Sequence, residues 1–381
     1  MRALGYAYAW DLIGDPAAAE RFAATGIDGV AVAAAYHSAR AATPLHAQHR
    51  IVVADHAACY VPVRDDRWRD AALRPVAPSW VDDDDSFGAA AAVARGTGLD
   101  VHAWIVLTHN SRLGAAHRDA TVRNAFGEHY EYALCPSSPA VAEYCERLVA
   151  EILDQSDVDG VVLESCGPLG VDHGGHHDKL EFAAWTPSQR ALLSICFCSA
   201  CASRFELAGI DSVALAQAVR AGVDSSAVSV ETALGEIADA VREVRADVAA
   251  GLRESVTSIV RSMRPGVRIT VHGSADPWAT GAFPTVAPAA GDVDAVVANC
   301  WDIAAATTAV QALRSLVGAD VAVGGYLRPD TVSGAGLTAD ELIERLAAAG
   351  LDELHLYHLG LVPEAALGVF ARLVAAIHTV L

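Results

Sequence analysis

The segment Asp157-Val158-Asp159-Gly160-Val161-Val162-Leu163-Glu164-Ser165 decides the fold. Val161 to Leu163 form a continuous apolar run, as expected of a strand that is covered on both faces. A helical segment from Pro139 to Gln155 precedes this run, and Glu164 stands where the run stops. In a β/α barrel, active sites are built on the rim formed by the carboxyl ends of the strands. The segment therefore predicts a buried barrel strand that presents Glu164 at this rim.

Short apolar runs alternate with helical segments along the chain, a pattern typical of a parallel sheet built from βα units. The predicted strands run from Ala3 to Trp10, Gly29 to Ala35, Val101 to Leu107, Asp159 to Glu164, Val267 to His272, Ala295 to Trp301, Val321 to Tyr326 and Glu353 to Leu359. Each strand except the fifth is followed by a predicted helix. Eight such units predict an α/β protein with the (β/α)8 TIM-barrel fold. A doubly wound open sheet is the alternative, but no GxGxxG or P-loop pattern supports it.

Long segments interrupt the alternation after strands 2, 3 and 4. The segment after strand 4, residues 166–265, contains a Cys-rich run and a predicted long helix from Val230 to Met263. No low-complexity linker divides the chain. We therefore expect residues 1–381 to form one barrel domain, in which residues 166–265 are a helical insertion.

The composition excludes several classes of partner. Of the 381 residues, 53% are hydrophobic, and the formal net charge is −20, which argues against a nucleic-acid surface or an anionic membrane. No signal peptide and no apolar run long enough to span a membrane are found. The eight cysteines predict reduced thiols or a metal site rather than a disulfide framework. We expect a cytoplasmic protein that acts on a small molecule or an oligosaccharide, and homo-oligomerisation stays open.

Polar and aromatic residues recur at the predicted carboxyl ends of the strands, whereas the amino ends carry only ordinary turn residues. Those expected to bind substrate are Trp10, Tyr36, His37, His109, Asn110, Arg112, His272, Trp301, Arg328 and His358. Aromatic faces together with hydrogen-bonding side chains suit a sugar ring and its hydroxyl groups. Taken singly, a polar residue at a strand end is more often a helix cap.

Cleavage of a glycosidic bond requires two carboxyl groups on either side of the bond. Glu164 is the first candidate. Asp302 and Asp330 are the preferred candidates for the second, and Asp11 and Asp276 are further ones. The separation of the two carboxyl groups decides between retention and inversion, and the sequence leaves it open.

A His-rich loop, Asp172-His173-Gly174-Gly175-His176-His177-Asp178-Lys179, follows the Glu164 strand and is expected to overhang the pocket. Its histidines could bind a metal. They could instead contact substrate, or the loop could be an ordinary polar surface loop. We include His176 and His177 among the predicted substrate-binding residues.

Three cysteines, Cys196, Cys198 and Cys201, lie within six residues. A tetrahedral thiolate site for a structural Zn²⁺ would explain this spacing, with Cys135 as the preferred fourth ligand and Cys166 as the alternative. Three buried free thiols are the other interpretation.

The segments Leu134 to Pro139 and Asp159 to Glu164, with the C-x-C-x2-C run and Arg204-Phe205, resemble a group of glycoside-hydrolase-like barrels. The group includes glycosyl hydrolases of unassigned activity and, more distantly, zinc-carrying β-galactosidases. The resemblance covers roughly residues 100–210 by motif. It implies a strand-four carboxylate in the active site, followed by a zinc-binding cysteine run.

Two departures separate the chain from those β-galactosidases. Their strand-seven tip carries a catalytic Glu, whereas the segment from Gly324 to Asp330 has none. They also place an Asn before the strand-four Glu, where this chain has Leu163. Glu164 could therefore be an acid/base or a nucleophile. The alternatives to a glycoside hydrolase are a metal-dependent hydrolase or sugar isomerase, with ligands such as His37, His109 and His272, and a non-catalytic carbohydrate-binding barrel.

Overall fold

Eight parallel strands form a closed barrel in the computed structural model, which describes residues 1–172, 178–287, 290–334 and 336–379. The strands are β1 Arg2–Ala7, β2 Gly29–Tyr36, β3 Asp100–Val106, β4 Gly160–Glu164, β5 Arg268–His272, β6 Ala295–Asn299, β7 Ala322–Leu327 and β8 Glu353–Leu356. Each pairs with its neighbours in the chain, and β1 pairs with both β2 and β8. The predicted (β/α)8 barrel is confirmed.

The helices lie outside the strands and follow the predicted alternation. The α-helices are Ala9–Leu12, Ala18–Ala23, Asp65–Trp68, Ser86–Arg95, Ser111–Ala116, Pro139–Gln155, Pro187–Leu193, Ser199–Leu207, Ser212–Asp224, Val230–Leu234, Ala238–Met263, Ile303–Leu316, Pro329–Gly334, Ala339–Ala348 and Glu364–Thr379. Single 3₁₀ turns lie at Arg118–Ala120, Glu181–Ala183, Gly235–Ile237 and Leu359–Leu361. Among the described residues between β5 and β6 there is no helix, as the sequence predicts. No described helix has both the length and the apolar composition to cross a membrane.

The long segments after β2 and β3 each contain a short antiparallel pair of strands that is not among the predicted strands. Ala39–Ala42 pairs with Ile51–Ala54, and Thr121–Arg123 pairs with His129–Leu134. In Ile51–Ala54, exposed and buried residues alternate, which is the pattern of a strand with one covered face. The sequence does not show this alternation, because Ile51 to Ala54 are all apolar, and the β-branched run Ile51-Val52-Val53 was the available signal for this hairpin.

The segment after β4, residues 166–265, contains five of these α-helices. Its first four α-helices pack around their own apolar cluster, which includes Phe197, Phe205 and Leu215. The predicted helix over residues 230–263 is divided at Gly235, whose φ of +60° favours glycine. The longer part, Ala238–Met263, packs against Pro139–Gln155, and it contributes residues both to the barrel core and to the cluster of the short helices.

A charged network closes the amino-terminal end of the barrel, so the expectation of ordinary turn residues there is wrong. Arg2 lies 2.6 Å from Asp100 and 3.0 Å from the ring of His102. Arg268 pairs with Glu353 at 2.5 Å. Burial and the charge of Arg2 lower the pKa of His102 to about 3, so this ring is neutral at ordinary pH.

The ring of His102 also explains a glycine in the segment that decides the fold. A Cβ atom on Gly160 would lie 2.3 Å from this ring, so β4 can pass beside His102 only without a side chain at that position.

Candidate active site

Strand β4 ends at Glu164, and its carboxyl group lies inside the barrel near the carboxyl ends of the strands. The side chain is 6% exposed. Trp104 donates a hydrogen bond from Nε1 to Glu164 Oε2 at 2.9 Å, and Nδ1 of His272 lies 3.4 Å from the same oxygen. Strands β3 and β5, the two neighbours of β4, thus provide these contacts. A buried carboxyl group with specific polar partners is typical of a catalytic acid or base.

Aromatic rings enclose Glu164. Trp104 meets the rings of Tyr6 and Tyr36 edge to face, with centroids 5.0 and 4.6 Å apart, and Tyr6 meets Tyr326 in the same way at 4.7 Å. Burial, together with other nearby groups that include the Glu164 carboxylate, raises the pKa of Tyr6, Tyr36 and Tyr326 well above the usual phenol value. These phenols remain neutral, so they offer apolar faces beside the carboxyl group.

A chain of polar contacts runs from Glu164 along the barrel axis. The hydroxyl group of Tyr6 lies 2.9 Å from Nε2 of His272 and 2.9 Å from Nδ1 of His355. Nε2 of His355 lies 3.5 Å from Oε2 of Glu353. The contacts connect the rim to the charged network at the other end of the barrel.

Six of the predicted substrate-binding residues come together around this centre. Trp10 stacks on Tyr8 with ring centroids 4.3 Å apart. The ring centroid of His358 also lies 4.3 Å from that of Tyr8. Tyr36, His37 and His109 form a continuous stack with spacings of 4.2 and 4.1 Å. The ring of His272 is parallel to that of Phe283 at 4.6 Å.

A second predicted group lies at the ends of β6 and β7. The guanidinium of Arg328 lies 4.8 Å from the ring centroid of Trp301 and is paired with Asp330 at 2.7 Å. The Trp301 ring lies 6.0 Å from Tyr326, which belongs to the enclosure of Glu164. Asp330 is thereby connected to the central cluster through three packed side chains.

Other predicted site residues have different surroundings. Asp302 is exposed and caps the helix Ile303–Leu316 by accepting from the backbone N–H of Ala304 at 2.9 Å. Asn110 caps Ser111–Ala116 through Leu113 N–H, and its amide donates to Tyr144 at 3.4 Å. Arg112 and Asp276 are exposed. His176 and His177 lie outside the described residues.

Tyr6, Tyr8 and Trp104 also belong to this cluster, and they are not among the site residues predicted from the sequence. Large and small residues alternate in Leu4-Gly5-Tyr6-Ala7-Tyr8-Ala9-Trp10. Because side chains in a strand alternate between faces, this pattern points the aromatic residues to one side of the barrel wall. It was the available signal for Tyr6 and Tyr8.

Asp11 lies behind this aromatic cluster and is buried. Oδ2 of Asp11 accepts the backbone N–H of Tyr8 at 2.7 Å and lies 3.7 Å from Nδ1 of His358. Burial raises the pKa of Asp11 from 3.8 to about 7. Between these values the folded protein keeps a proton that the unfolded chain has released. Ionisation of Asp11 therefore reduces stability as the pH rises from about 4 to 7.

We expect Asp11→Asn to remove this loss, because the amide oxygen can still accept from Tyr8 N–H but cannot ionise. The parent should lose up to about 4 kcal/mol in free energy of unfolding through Asp11 between pH 4 and pH 8, and the variant should not show this loss. Urea unfolding at the two pH values measures this, with the exposed Asp247→Asn as control. An equal pH dependence in Asp11→Asn and the parent would contradict the expectation.

The four cysteines Cys135, Cys196, Cys198 and Cys201 are buried, and their sulfur atoms all lie within 4.8 Å of one another. Sγ of Cys135 is 3.5 Å from that of Cys201 and 3.6 Å from that of Cys198. Thiolates bound tetrahedrally to one zinc ion would be about 3.8 Å apart. The arrangement could therefore hold a metal ion. Cys166, the alternative fourth ligand, does not belong to the group.

The electrostatics of the cluster suit a cation. Hydrogen bonds with Cys135, Cys196 and Cys201 hold the pKa of Cys198 well below the usual thiol value, whereas those of Cys135 and Cys196 are raised. A divalent cation would stabilise the deprotonated form of the whole group.

No family model and no curated protein match this chain. Solved structures do match it. An α-L-fucosidase isoenzyme 2 from Paenibacillus thiaminolyticus superposes with a TM-score of 0.57 at 13% identity, covering 99% of this chain and 49% of the fucosidase. This chain therefore spans about half of the fucosidase. The chain shares the barrel fold of glycoside hydrolases.

Two further glycoside hydrolases superpose on the chain. The PgaB (BpsB) glycoside hydrolase domain from Bordetella bronchiseptica has a TM-score of 0.55 at 13% identity and covers 94% of both chains. A β-galactosidase from Bacillus circulans sp. alkalophilus has a TM-score of 0.55 at 10% identity, covering 99% of this chain and 56% of the enzyme. At these identities the likeness shows the fold alone, and it agrees with the resemblance found in the sequence.

Proposed function

We propose that the protein is a glycoside hydrolase in which Glu164 is the principal catalytic carboxyl group. The observation that carries this proposal is the buried carboxyl group at the end of β4, enclosed by aromatic rings and bonded to Trp104. Glycoside hydrolases are also the proteins whose barrels superpose on this one. Their fold by itself does not establish an activity, so the surroundings of Glu164 are the main support for the proposal.

In this mechanism, Glu164 acts as the general acid. The bond between the anomeric carbon and the glycosidic oxygen breaks, and its electron pair stays on the oxygen, which takes the proton of Glu164. A second carboxyl group assists the attack of water on the anomeric carbon, directly or through a covalent intermediate. The second proton of the water finally restores the acid. The aromatic faces around Glu164 suit the apolar faces of a sugar ring.

Of the two preferred second carboxyl groups, we propose Asp330. Its partner Arg328 lies on Trp301, next to the enclosure of Glu164, whereas the carboxylate of Asp302 is engaged as a helix cap.

We expect Asp330→Asn to lower kcat at least about 100-fold, because the amide cannot act as a base or nucleophile. Asp302→Asn keeps an oxygen that can cap the helix and should change kcat less than about twofold. Initial rates on one aryl glycoside compare the two variants with the parent. A larger loss in Asp302→Asn would transfer the role to Asp302.

We also propose that the four clustered cysteines hold a structural Zn²⁺. Four protein thiolates fill a tetrahedral coordination sphere and leave no position for substrate, so this ion would take no part in hydrolysis. It would fix the insertion to the loop that carries Cys135, which precedes the helix Pro139–Gln155.

A catalytic metal has less support. Among the described residues, only the four cysteines form a group of metal-ligating side chains close enough to share an ion. We therefore prefer acid catalysis by Glu164 to the metal-dependent hydrolase or isomerase.

A screen of aryl glycosides and oligosaccharides with the purified protein tests the proposed activity. Turnover that survives exhaustive treatment with a chelator supports a hydrolase without catalytic metal. If no glycoside is cleaved while sugars bind, the protein is a carbohydrate-binding barrel instead.

A further inference from the structure

Five side chains form a continuous polar chain along the barrel axis, and the proposed function uses only its first member. The contacts are 3.4 Å from Glu164 to His272, 2.9 Å from His272 to the Tyr6 hydroxyl, 2.9 Å from that hydroxyl to His355 and 3.5 Å from His355 to Glu353. All five side chains are buried. In the part of the chain that the structure describes, Nδ1 of His272 and Nε2 of His355 have no hydrogen-bond partner. Nδ1 of His272 lies beside the carboxylate of Glu164, and Nε2 of His355 lies beside that of Glu353.

Tyr6 gives this chain a direction. A hydroxyl group has one proton, so it can donate to only one of the two imidazole nitrogens. The other imidazole must then donate to the hydroxyl oxygen. Which ring donates depends on the groups at the two ends of the chain.

The end at Glu353 fixes the direction. Arg268 pairs with Glu353 at 2.5 Å. Burial alone would raise the pKa of Glu353, but the neighbouring His355 ring, 3.5 Å away, and the charge of Arg268 hold it below its usual value. Burial lowers the pKa of His355, so this ring is neutral. With Glu353 ionised, the single ring proton of His355 is on Nε2, facing the carboxylate.

The remaining protons follow from this end. Nδ1 of His355 accepts from the Tyr6 hydroxyl, and the Tyr6 oxygen accepts from Nε2–H of His272. Nδ1 of His272 then has a lone pair directed towards Oε2 of Glu164. Two lone pairs at 3.4 Å repel each other, so one proton is held between these two atoms.

We propose that His272, Tyr6 and His355 are positioning residues that hold a proton on the Glu164–His272 pair and so keep Glu164 in the form of a general acid. This proposal rests on the proposed function. It concerns how the acid keeps its proton, which the two-carboxylate mechanism leaves unspecified. The ionised Glu353, held by Arg268 at the far end of the barrel, thus supports the acid form at the rim.

Other ionisable groups also face this chain. They are Tyr36, Tyr326 and Tyr357 around Glu164, and Arg2, Arg268 and the neutral His102 at the His355 end. Burial raises the pKa of all three tyrosines, so they carry no charge over the pH range of the test.

Nitrogen-15 NMR of the His-labelled protein tests the proton arrangement without any substrate. His272→Gln and His355→Gln spectra assign the two rings. The expected result is a neutral His355 protonated on Nε2 and a His272 protonated on Nε2. A His355 ring protonated on Nδ1 would overturn the proposal.

Kinetics of Tyr6→Phe provide the second measurement. Without the hydroxyl, His272 can turn its proton to Nδ1 and donate to an ionised Glu164, which lowers the pKa of the acid. The alkaline limb of kcat should move down by about one pH unit, with a roughly tenfold loss of kcat above that limb and unchanged KM. Tyr144→Phe, which removes another buried hydroxyl at the outer helix Pro139–Gln155, should leave the profile unchanged.

An unchanged profile of kcat against pH in an active Tyr6→Phe protein would also overturn the proposal. If no glycoside is hydrolysed but the NMR spectra show the expected ring protonation, the proposed function fails and the proton arrangement is supported.

Discussion

Glu164→Gln should lower kcat for a glycoside with a poor leaving group at least about a thousandfold. The glutamine has the size of the glutamate. Its amide oxygen can still accept the hydrogen bond that Nε1 of Trp104 donates to Glu164 Oε2 at 2.9 Å in the parent. It cannot release a proton or ionise. The fold should therefore persist, as checked by circular dichroism and thermal unfolding, while turnover is lost.

The leaving group distinguishes the roles open to Glu164. A dinitrophenyl glycoside needs little protonation, so a variant that lacks only the acid should cleave it with a much smaller loss. If Glu164 were the nucleophile, both substrates would lose turnover equally. Glu128→Gln is the control, because Glu128 lies at the exposed turn of a hairpin and accepts only from Asn124 among its described side-chain contacts, and this variant should be fully active. Retained turnover of the poor leaving group in Glu164→Gln would exclude Glu164 as the catalytic carboxyl group.

Cys198→Ser should have the largest effect on stability. It removes one of the four clustered sulfur atoms, the thiol whose pKa the neighbouring cysteines hold well below its usual value. Structural zinc sites contribute folding free energy directly. We expect the metal content to fall from one equivalent to near zero and the free energy of unfolding to drop by about 3–5 kcal/mol.

Elemental analysis and limited proteolysis measure these two effects. Cleavage should concentrate in the four short helices of the insertion, because they pack around the cysteines rather than in the barrel core. Cys166→Ser is the matched control, since Cys166 is buried but lies outside the cluster, and it should keep its metal. A parent protein without metal, or a Cys198→Ser protein that keeps it, would contradict the structural zinc site.

The strands could be predicted from the sequence because a strand buried on both faces is a continuous apolar run. Val161 to Leu163 is such a run, and it is fully buried. The structural role of a polar residue depends on its partners, which sequence position does not reveal. Asp302 and Asp330 both follow barrel strands, but one caps a helix and the other pairs with Arg328. The sequence therefore defines the rim better than it defines the residues of the site.

Sequence spacing alone could not decide which cysteine completes the cluster. Cys135 and Cys166 both lie near β4 in the sequence, and the choice between them depends on how the insertion folds back. Phe197 N–H bonds to the carbonyl of Arg123, which holds the cysteine run beside the hairpin that leads to Cys135. This long-range contact has no signature in the local sequence.

The pairing of β1 with β8 has a consequence for biosynthesis. Strand β1 is synthesised before the other seven barrel strands, but its second partner, β8, begins only at Glu353. Until then, the growing sheet has two open edges, and Arg2 cannot join the network that includes Glu353. Open strand edges are sites of aggregation. A chain truncated before β8 would consequently be an aggregation-prone open sheet rather than a smaller barrel.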